Sequence, residues 1–188
     1  MLLETSIELD LITDLEMLKM IENSKRGGLC FIGSKRMVKA NNKYLEDYNP
    51  NDDSTYIMYW DANNLYGWAM SQHLPFKNLR FRTDINLQDI LNTKDDNHEG
   101  YFIECDLSFP EELHDKFKEY PPCPENITPN HELFSDFQKD LAENQGAIAN
   151  DKYRGSTKLV PHLLEHKNYV LHYRTPKYIK ELGVQIVE

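Results

Sequence analysis

The run Tyr56-Ile-Met-Tyr-Trp-Asp61-Ala-Asn-Asn-Leu-Tyr-Gly-Trp-Ala-Met70 constrains this chain more than any other stretch. An apolar, aromatic segment rich in strand formers leads into one carboxylate, Asp61. A polar turn at Asn63-Asn64 follows, and Leu65, Trp68 and Ala69 then recur at the spacing of a helix face. The pattern predicts strand, turn and helix, with the carboxylate at the strand end. Such a place suits a divalent metal and a triphosphate. The carboxylate is a hard oxygen ligand, and a helix start gathers backbone donors and positive dipole.

The 188 residues are enough for one core, or for one domain and part of another. No run approaches the ~18 apolar residues of a membrane span, so no membrane partner is expected. Met1-Leu2-Leu3 is followed at once by Glu4, Glu8 and Asp10, the wrong charge for a signal or transit peptide. Cys30, Cys105 and Cys123 lie far apart, which argues against a disulfide scaffold and for a reducing, intracellular setting. Nucleus, mitochondrion and viral compartment are all compatible with it.

The net charge of −10 argues against a polyanion partner, but its distribution argues the other way. Ser24 to Lys43 holds Lys25, Arg26, Lys35, Arg36, Lys39 and Lys43 and no acid. Lys152 to Lys180 holds a second basic island against the single acid Glu165, with His162, His166 and His172 interleaved. Two basic islands in an acidic chain fit steering of a nucleic acid into a groove, or else ordinary solvated surface.

Periodicity and turn chemistry place the remaining elements. Ile7, Leu9 and Leu11 alternate as a short strand, and Thr13-Asp-Leu-Glu16 reads as a capping box opening a helix. Gly27-Gly28 closes that helix, and Leu29 to Ile32 suggests another strand. Asn49 to Asp53 is a loop, and Asn86 to Leu91 a short helix. Tyr101 to Phe109 alternates as a half-buried strand stopped by Pro110. Helices are expected near Leu133 to Leu141, Leu159 to Leu164 and Lys177 to Leu182, with strands at Tyr169 to Tyr173 and Val184 to Val187. Without a strict βαβ rhythm the class is α+β. The last strand stops in mid-pattern at Glu188, which suggests part of a larger assembly.

Asp61-Ala62-Asn63-Asn64-Leu65-Tyr66-Gly67 resembles motif A of family B DNA polymerases, whose usual form is Asp-x-x-Ser-Leu-Tyr-Pro. Extended through Trp68-Ala-Met-Ser-Gln72, the run is more closely similar to the protein-primed polymerases of Polinton/Maverick-type mobile elements and their viral and organellar relatives. Lys25-Arg26-Gly27-Gly28 sits where those enzymes carry Tyr-x-Gly-Gly. Gly100 to Leu107, Tyr120 to Glu125 and Lys158 to Leu164 are similar to later blocks. Asn64 in place of Ser, Gly67 in place of Pro and Lys25 in place of Tyr depart from the pattern. Motif B (Lys-x-x-x-Asn-Ser-x-Tyr-Gly) and motif C (Asp-Thr-Asp) are absent from the chain.

The resemblance implies a central fragment of a DNA-directed DNA polymerase, with partners primer-template DNA, a dNTP and a priming terminal protein. Residues 1–74 would be part of an antiparallel palm and 75–188 an inserted terminal-protein region, incomplete at its C-terminal end. Asp61 would be the catalytic carboxylate and a ligand of two Mg²⁺ ions. Ala62, Asn63, Asn64, Leu65 and Tyr66 would bind the nucleotide, Tyr66 packing under the sugar. Arg26, Gly27 and Gly28 would let the template backbone approach. A lone Asp cannot hold two ions ~3.5–4 Å apart, so the chain by itself is expected to be inactive. Glu104 and Asp106 share a strand face and read as solvated. The alternative is a non-catalytic remnant that binds DNA or a protein.

A more remote alternative is a zinc peptidase. His162-Leu-Leu-Glu165-His166 has the H-x-x-E-H form, which on a helix puts both histidines on one face. The pattern is short, and few residues follow it in which to find a further acidic ligand.

Overall fold

A computed structural model describes residues 6–31, 38–149, 152–153 and 155–187. Its helices are α1 (Leu15–Ser24), α2 (Leu65–Met70), α3 (Leu87–Asn92), α4 (Glu111–Phe117), α5 (Asp136–Asn144) and α6 (Arg174–Glu181). Its strands are β1 (Phe102–Ser108), β2 (Glu125–Ile127), β3 (Ile148–Ala149), β4 (Lys152–Tyr153), β5 (Lys158–Val160), β6 (His166–His172) and β7 (Gln185–Val187). The chain divides into two units, one drawn from residues 1–31 and 76–188 and the other from 32–75.

The larger unit is organised by an antiparallel sheet in the order β6-β1-β7. Ile103, Cys105 and Leu107 alternate onto one face of β1 and are buried, as the period of two requires. Leu171 lies opposite Ile103 and Tyr169 opposite Cys105, so β6 contributes to the same face. Ile90 from α3, Ile179 from α6, Phe109, Tyr173 and Val184 complete this core. Gly183 closes α6 at a φ of 97° that only glycine adopts freely. A Cβ there would also press on Leu113 of α4 at 3.2 Å. Asp14 caps α1 by accepting from the N–H groups of Glu16 at 2.8 Å and Met17 at 3.0 Å.

A β-bulge interrupts the β1–β6 ladder. Cys105 pairs with Tyr169 but Leu107 pairs with His166, so β6 spends one residue more than β1 across the gap. Asn168 absorbs the extra residue in a left-handed conformation, φ 51°, which asparagine tolerates well. Asp106 braces it, its carboxylate accepting from the Asn168 N–H at 2.9 Å and from Lys167 Nζ at 2.8 Å. The consequence is a change of face. In unbroken register Lys167 would oppose Leu107; with the bulge it is His166, which is fully buried.

Two smaller pairings complete the unit. β2 and β5 are antiparallel, with Glu125 opposite Val160 and Asn126 opposite Leu159. β3 and β4 form a two-residue ribbon after α5, whose start carries a capping box of Ser135 and Gln138.

In the smaller unit, a loop is knitted by the side chain of Asn41. Its Nδ2 donates to the carbonyls of Asn49 at 2.9 Å and Asp53 at 3.1 Å, and its Oδ1 accepts from the Asn49 N–H at 2.8 Å. An isolated antiparallel bridge joins Asn41 to Thr55. Beyond it, residues 56–64 run without regular structure into α2.

The α+β class holds, and most expected helices and strands are present within a few residues. Several expectations are corrected. The capping residue of α1 is Asp14 rather than Thr13. Residues 7–11, 29–31 and 56–60 are not strands (Ile32 lies outside the described residues). Their sequences have strand character, but a strand forms only where its N–H and C=O groups find a partner ladder, and none is present for them among the described residues. Leu159 to Leu164 is not a helix: Leu159 pairs with Asn126, and Pro161 ends β5.

Removing the brace should loosen the bulge. Asp106→Ala leaves the Asn168 N–H without its acceptor, and the unfolding temperature should fall by a few degrees in a thermal melt. The Lys167 ammonium and the Asn168 N–H hold the Asp106 carboxyl below the usual carboxylate range. Its contribution is therefore present at neutral pH and lost as the pH falls through that lowered value, a dependence that the alanine variant should lack.

Candidate functional site

Asp61 stands in the exposed, irregular stretch before α2 rather than at the end of a strand. Its neighbours are apolar and yet open to solvent: Tyr59 is 91% exposed and Trp60 81%. Tyr66, on the first turn of α2, is 82% exposed. Ala62 and Asn63 are likewise exposed, as are Asn64 and Leu65.

The turn itself has a clear local cause. Asn64 enters α2 in a left-handed conformation, φ 53°, and its side chain lies over Gly67. A Cβ on residue 67 would come within 2.4 Å of Asn64 Nδ2 and 2.5 Å of its Oδ1. The two departures from the motif A pattern, Asn64 and Gly67, lie against one another. The side chain of the first occupies the space that any side chain on the second would need.

Within its own unit, no other described His, Cys, Asp or Glu joins Asp61 in a group of three able to hold a metal. Asp61 fits the part of a single carboxylate ligand, and does not by itself fit a two-Mg²⁺ centre.

Arg26, Gly27 and Gly28 belong to the larger unit. The Arg26 guanidinium lies 3.6 Å from the centre of the Tyr169 ring, and its Nη1 donates to the Val170 carbonyl at 2.8 Å and the Ser24 carbonyl at 3.2 Å. This arginine is committed to tying the segment after α1 onto β6. Gly27 and Gly28 are exposed, the latter at φ 78°, with open space where a Cβ would stand. Glu104 is exposed as expected, whereas Asp106 has the bracing role described above.

The larger unit brings together residues from three strand segments that the sequence separates. Glu125 opens β2, His162 follows β5, and His166 opens β6. One donor atom from each lies within 4.8 Å of the others. His162 Nδ1 accepts from the Leu164 N–H at 3.3 Å, so in the neutral ring Nε2 bears the hydrogen and donates to Glu125 Oε2 at 3.2 Å. The His162 and His166 rings stack 4.4 Å apart at 19°. His166 Nε2 donates to the Cys123 carbonyl at 2.8 Å, while Nδ1 is buried and makes no hydrogen bond of good geometry, although the Leu164 backbone lies close enough to act on the ring. Burial first, and the neighbouring His162 second, push the His166 pKa below the ordinary imidazole value.

This cluster corrects the H-x-x-E-H reading. The five residues are not helical, and Glu165 turns away to face Lys167 at 3.6 Å. The two histidines meet because the chain bends between β5 and β6, and their carboxylate is Glu125. Only the β2–β5 register reveals that partner, and no periodicity in the sequence signals it.

A cavity of about 300 Å³ in the same unit is lined by Arg26, Cys123, Tyr169, His172 and Tyr178 among others, and not by Glu125, His162 or His166. Burial, and next the Arg174 charge, lower the pKa of His172; Asp95 opposes them weakly. The thiol of Cys123 is pushed up to about 11 by burial and is no nucleophile at neutral pH.

No family model, no curated protein and no solved structure matches the chain.

The state of His172 yields a measurable pH effect. A histidine kept neutral by the fold stabilises the protein least once the unfolded chain protonates. Stability should therefore fall as the pH drops below about 6.5. His172→Gln should flatten that part of the profile in chemical denaturation, and an unchanged slope would show that His172 titrates normally.

Proposed function

We propose that this chain is the motif A segment of a protein-primed family B DNA polymerase, and that Asp61 is one of its catalytic carboxylates. The observation that carries the reading is the run Asp61-Ala62-Asn63-Asn64-Leu65-Tyr66-Gly67 with the residues flanking it. Its local fold supports the reading. Asp61 is exposed immediately before a tight asparagine turn and a helix, where an incoming nucleotide could reach it. The exposed aromatic residues before it suit a strand awaiting neighbours in an antiparallel palm sheet.

In this reading Asp61 supplies one carboxylate of a divalent-metal set whose other members come from elsewhere in the polymerase, and the bound Mg²⁺ supplies charge stabilisation for phosphoryl transfer. The backbone N–H groups from Ala62 to Leu65 face the triphosphate. The Tyr66 ring lies under the sugar and disfavours a ribose 2′-OH. Gly27 and Gly28 permit close approach of the template backbone, whereas Arg26 holds that turn to β6 through its contacts with Tyr169 and Val170. Residues 75–188, with the basic stretch from Lys152 to Lys180, correspond to the inserted region that grips DNA and the terminal protein.

The test is templated incorporation by the intact native protein. Asp61→Asn should abolish dNTP addition to background while primer-template binding stays within about twofold of the parent, because a single uncharged isostere leaves phosphate contacts intact. Incorporation at the parental rate in the variant would remove Asp61 from the catalytic set. Absence of incorporation by the parent would favour a non-catalytic remnant that binds DNA or protein.

A further inference from the structure

The cluster at Glu125, His162 and His166 has a property that an ordinary ion pair does not explain. The His162–Glu125 contact satisfies both of its own partners. His166 remains: a fully buried imidazole whose Nε2 is spent on the Cys123 carbonyl and whose Nδ1 makes no hydrogen bond of good geometry. Buried polar atoms are almost always matched, so an unmatched one beside two further ligand groups points to something that accepts electron pairs. A hydrogen-bond donor would answer one atom only. A metal ion answers all three.

We propose that Glu125, His162 and His166 bind one divalent ion of the Zn²⁺ class. Two imidazoles and a carboxylate are a borderline donor set, matched to Zn²⁺ and its late first-row neighbours. Mg²⁺ prefers an all-oxygen octahedron. Three protein ligands leave the fourth tetrahedral position to water or to a further donor. Ligand atoms around tetrahedral Zn²⁺ lie about 3.4 Å apart, and each imidazole binds in its ring plane, so closing on the ion requires the His162 ring to rotate out of its present stack on His166.

The supporting contacts are of the kind that metal-bound histidines use. His166 Nε2 already donates to a backbone carbonyl, which fixes the ring and makes Nδ1 the better donor. At His162 the ion takes the place of the hydrogen now shared between Nε2 and Glu125. The proton can move to Nδ1 at the cost of the 3.3 Å contact from Leu164, the longest in the group. The bulge at Asn168 then has a function beyond ladder geometry, since it puts His166 rather than Lys167 on this face. With the ion bound, the β2–β5 pair would be cross-linked to β6 inside the larger unit. The site uses none of the residues assigned to the nucleotide, the Mg²⁺ ions or the template turn, and its test does not depend on the polymerase reading.

The experiment titrates ZnCl₂ into the intact, chelator-treated chain by calorimetry. Binding of one equivalent is expected, together with a rise in unfolding temperature that Mg²⁺ at the same concentration does not produce. Co²⁺ in place of Zn²⁺ should give the intense visible bands of a four-coordinate ion. Glu125→Gln and His162→Gln act on partly exposed side chains, and circular dichroism checks their folding. Each should weaken binding roughly 10- to 100-fold or more. Cys30→Ser should bind as the parent does. The proposal is overturned by absence of binding, by parental affinity in both glutamine variants, by loss of binding in Cys30→Ser, or by an equal response to Mg²⁺.

Discussion

The antiparallel pairing of β1 with β6, and the bulge that Asp106 holds in it, order most of what surrounds them. Up to Cys105 and Tyr169 the ladder is regular, and its odd-numbered β1 residues face the core with Leu171 and Tyr169. One extra residue at Asn168 then turns His166 inward. A buried imidazole is tolerated there because the Cys123 carbonyl and the His162 ring receive it, and those depend on the course of the chain through β2 and β5. Arg26, stacked on Tyr169 and bonded to Val170, uses the same strand to hold the segment after α1.

The smaller unit obeys a different balance. Among the described residues, its loop is secured by side-chain amides, chiefly those of Asn41 and Asn42, rather than by an apolar interior. Tyr56 to Trp60 remain exposed even though exposure of so much aromatic surface is unfavourable in water. Under the proposed function this is the expected condition of a palm strand whose sheet neighbours lie elsewhere. The turn at Asn64 and Gly67 needs no such neighbours, because its geometry comes from one side chain and the glycine beneath it.

The sequence made some of this legible and hid the rest for identifiable reasons. β1 was readable because Ile103, Cys105 and Leu107 alternate, and α6 because Gly183 stops it. A short helix is legible over Asn86 to Leu91, and the structure shows Asn86 capping it. Residues 56–60 misled because strand propensity describes what a backbone could pair with, not whether the partner is present. Leu159 to Leu164 misled because its first residues pair with β2 and Pro161 ends that strand, a partnership that lies outside the segment itself. His162 and His166 were noticed as a pair, yet on the wrong element and with the wrong acid. Glu165 is their neighbour in sequence and Glu125 their neighbour in space. The motif A run remained the strongest signal of function, since nothing in its exposed local structure competes with it.

Two-metal nucleotidyl transfer requires carboxylates beyond Asp61, and that requirement makes the functional claim open to a decisive check. The measurement is the sequence of the native transcript read through both ends of this reading frame. The account predicts an in-frame continuation carrying Lys-x-x-x-Asn-Ser-x-Tyr-Gly and then Asp-Thr-Asp, which would supply the missing lysine and aspartates. A mature message whose reading frame holds neither block would contradict it, and the Asp61 turn would then belong to a protein that does not polymerise nucleotides.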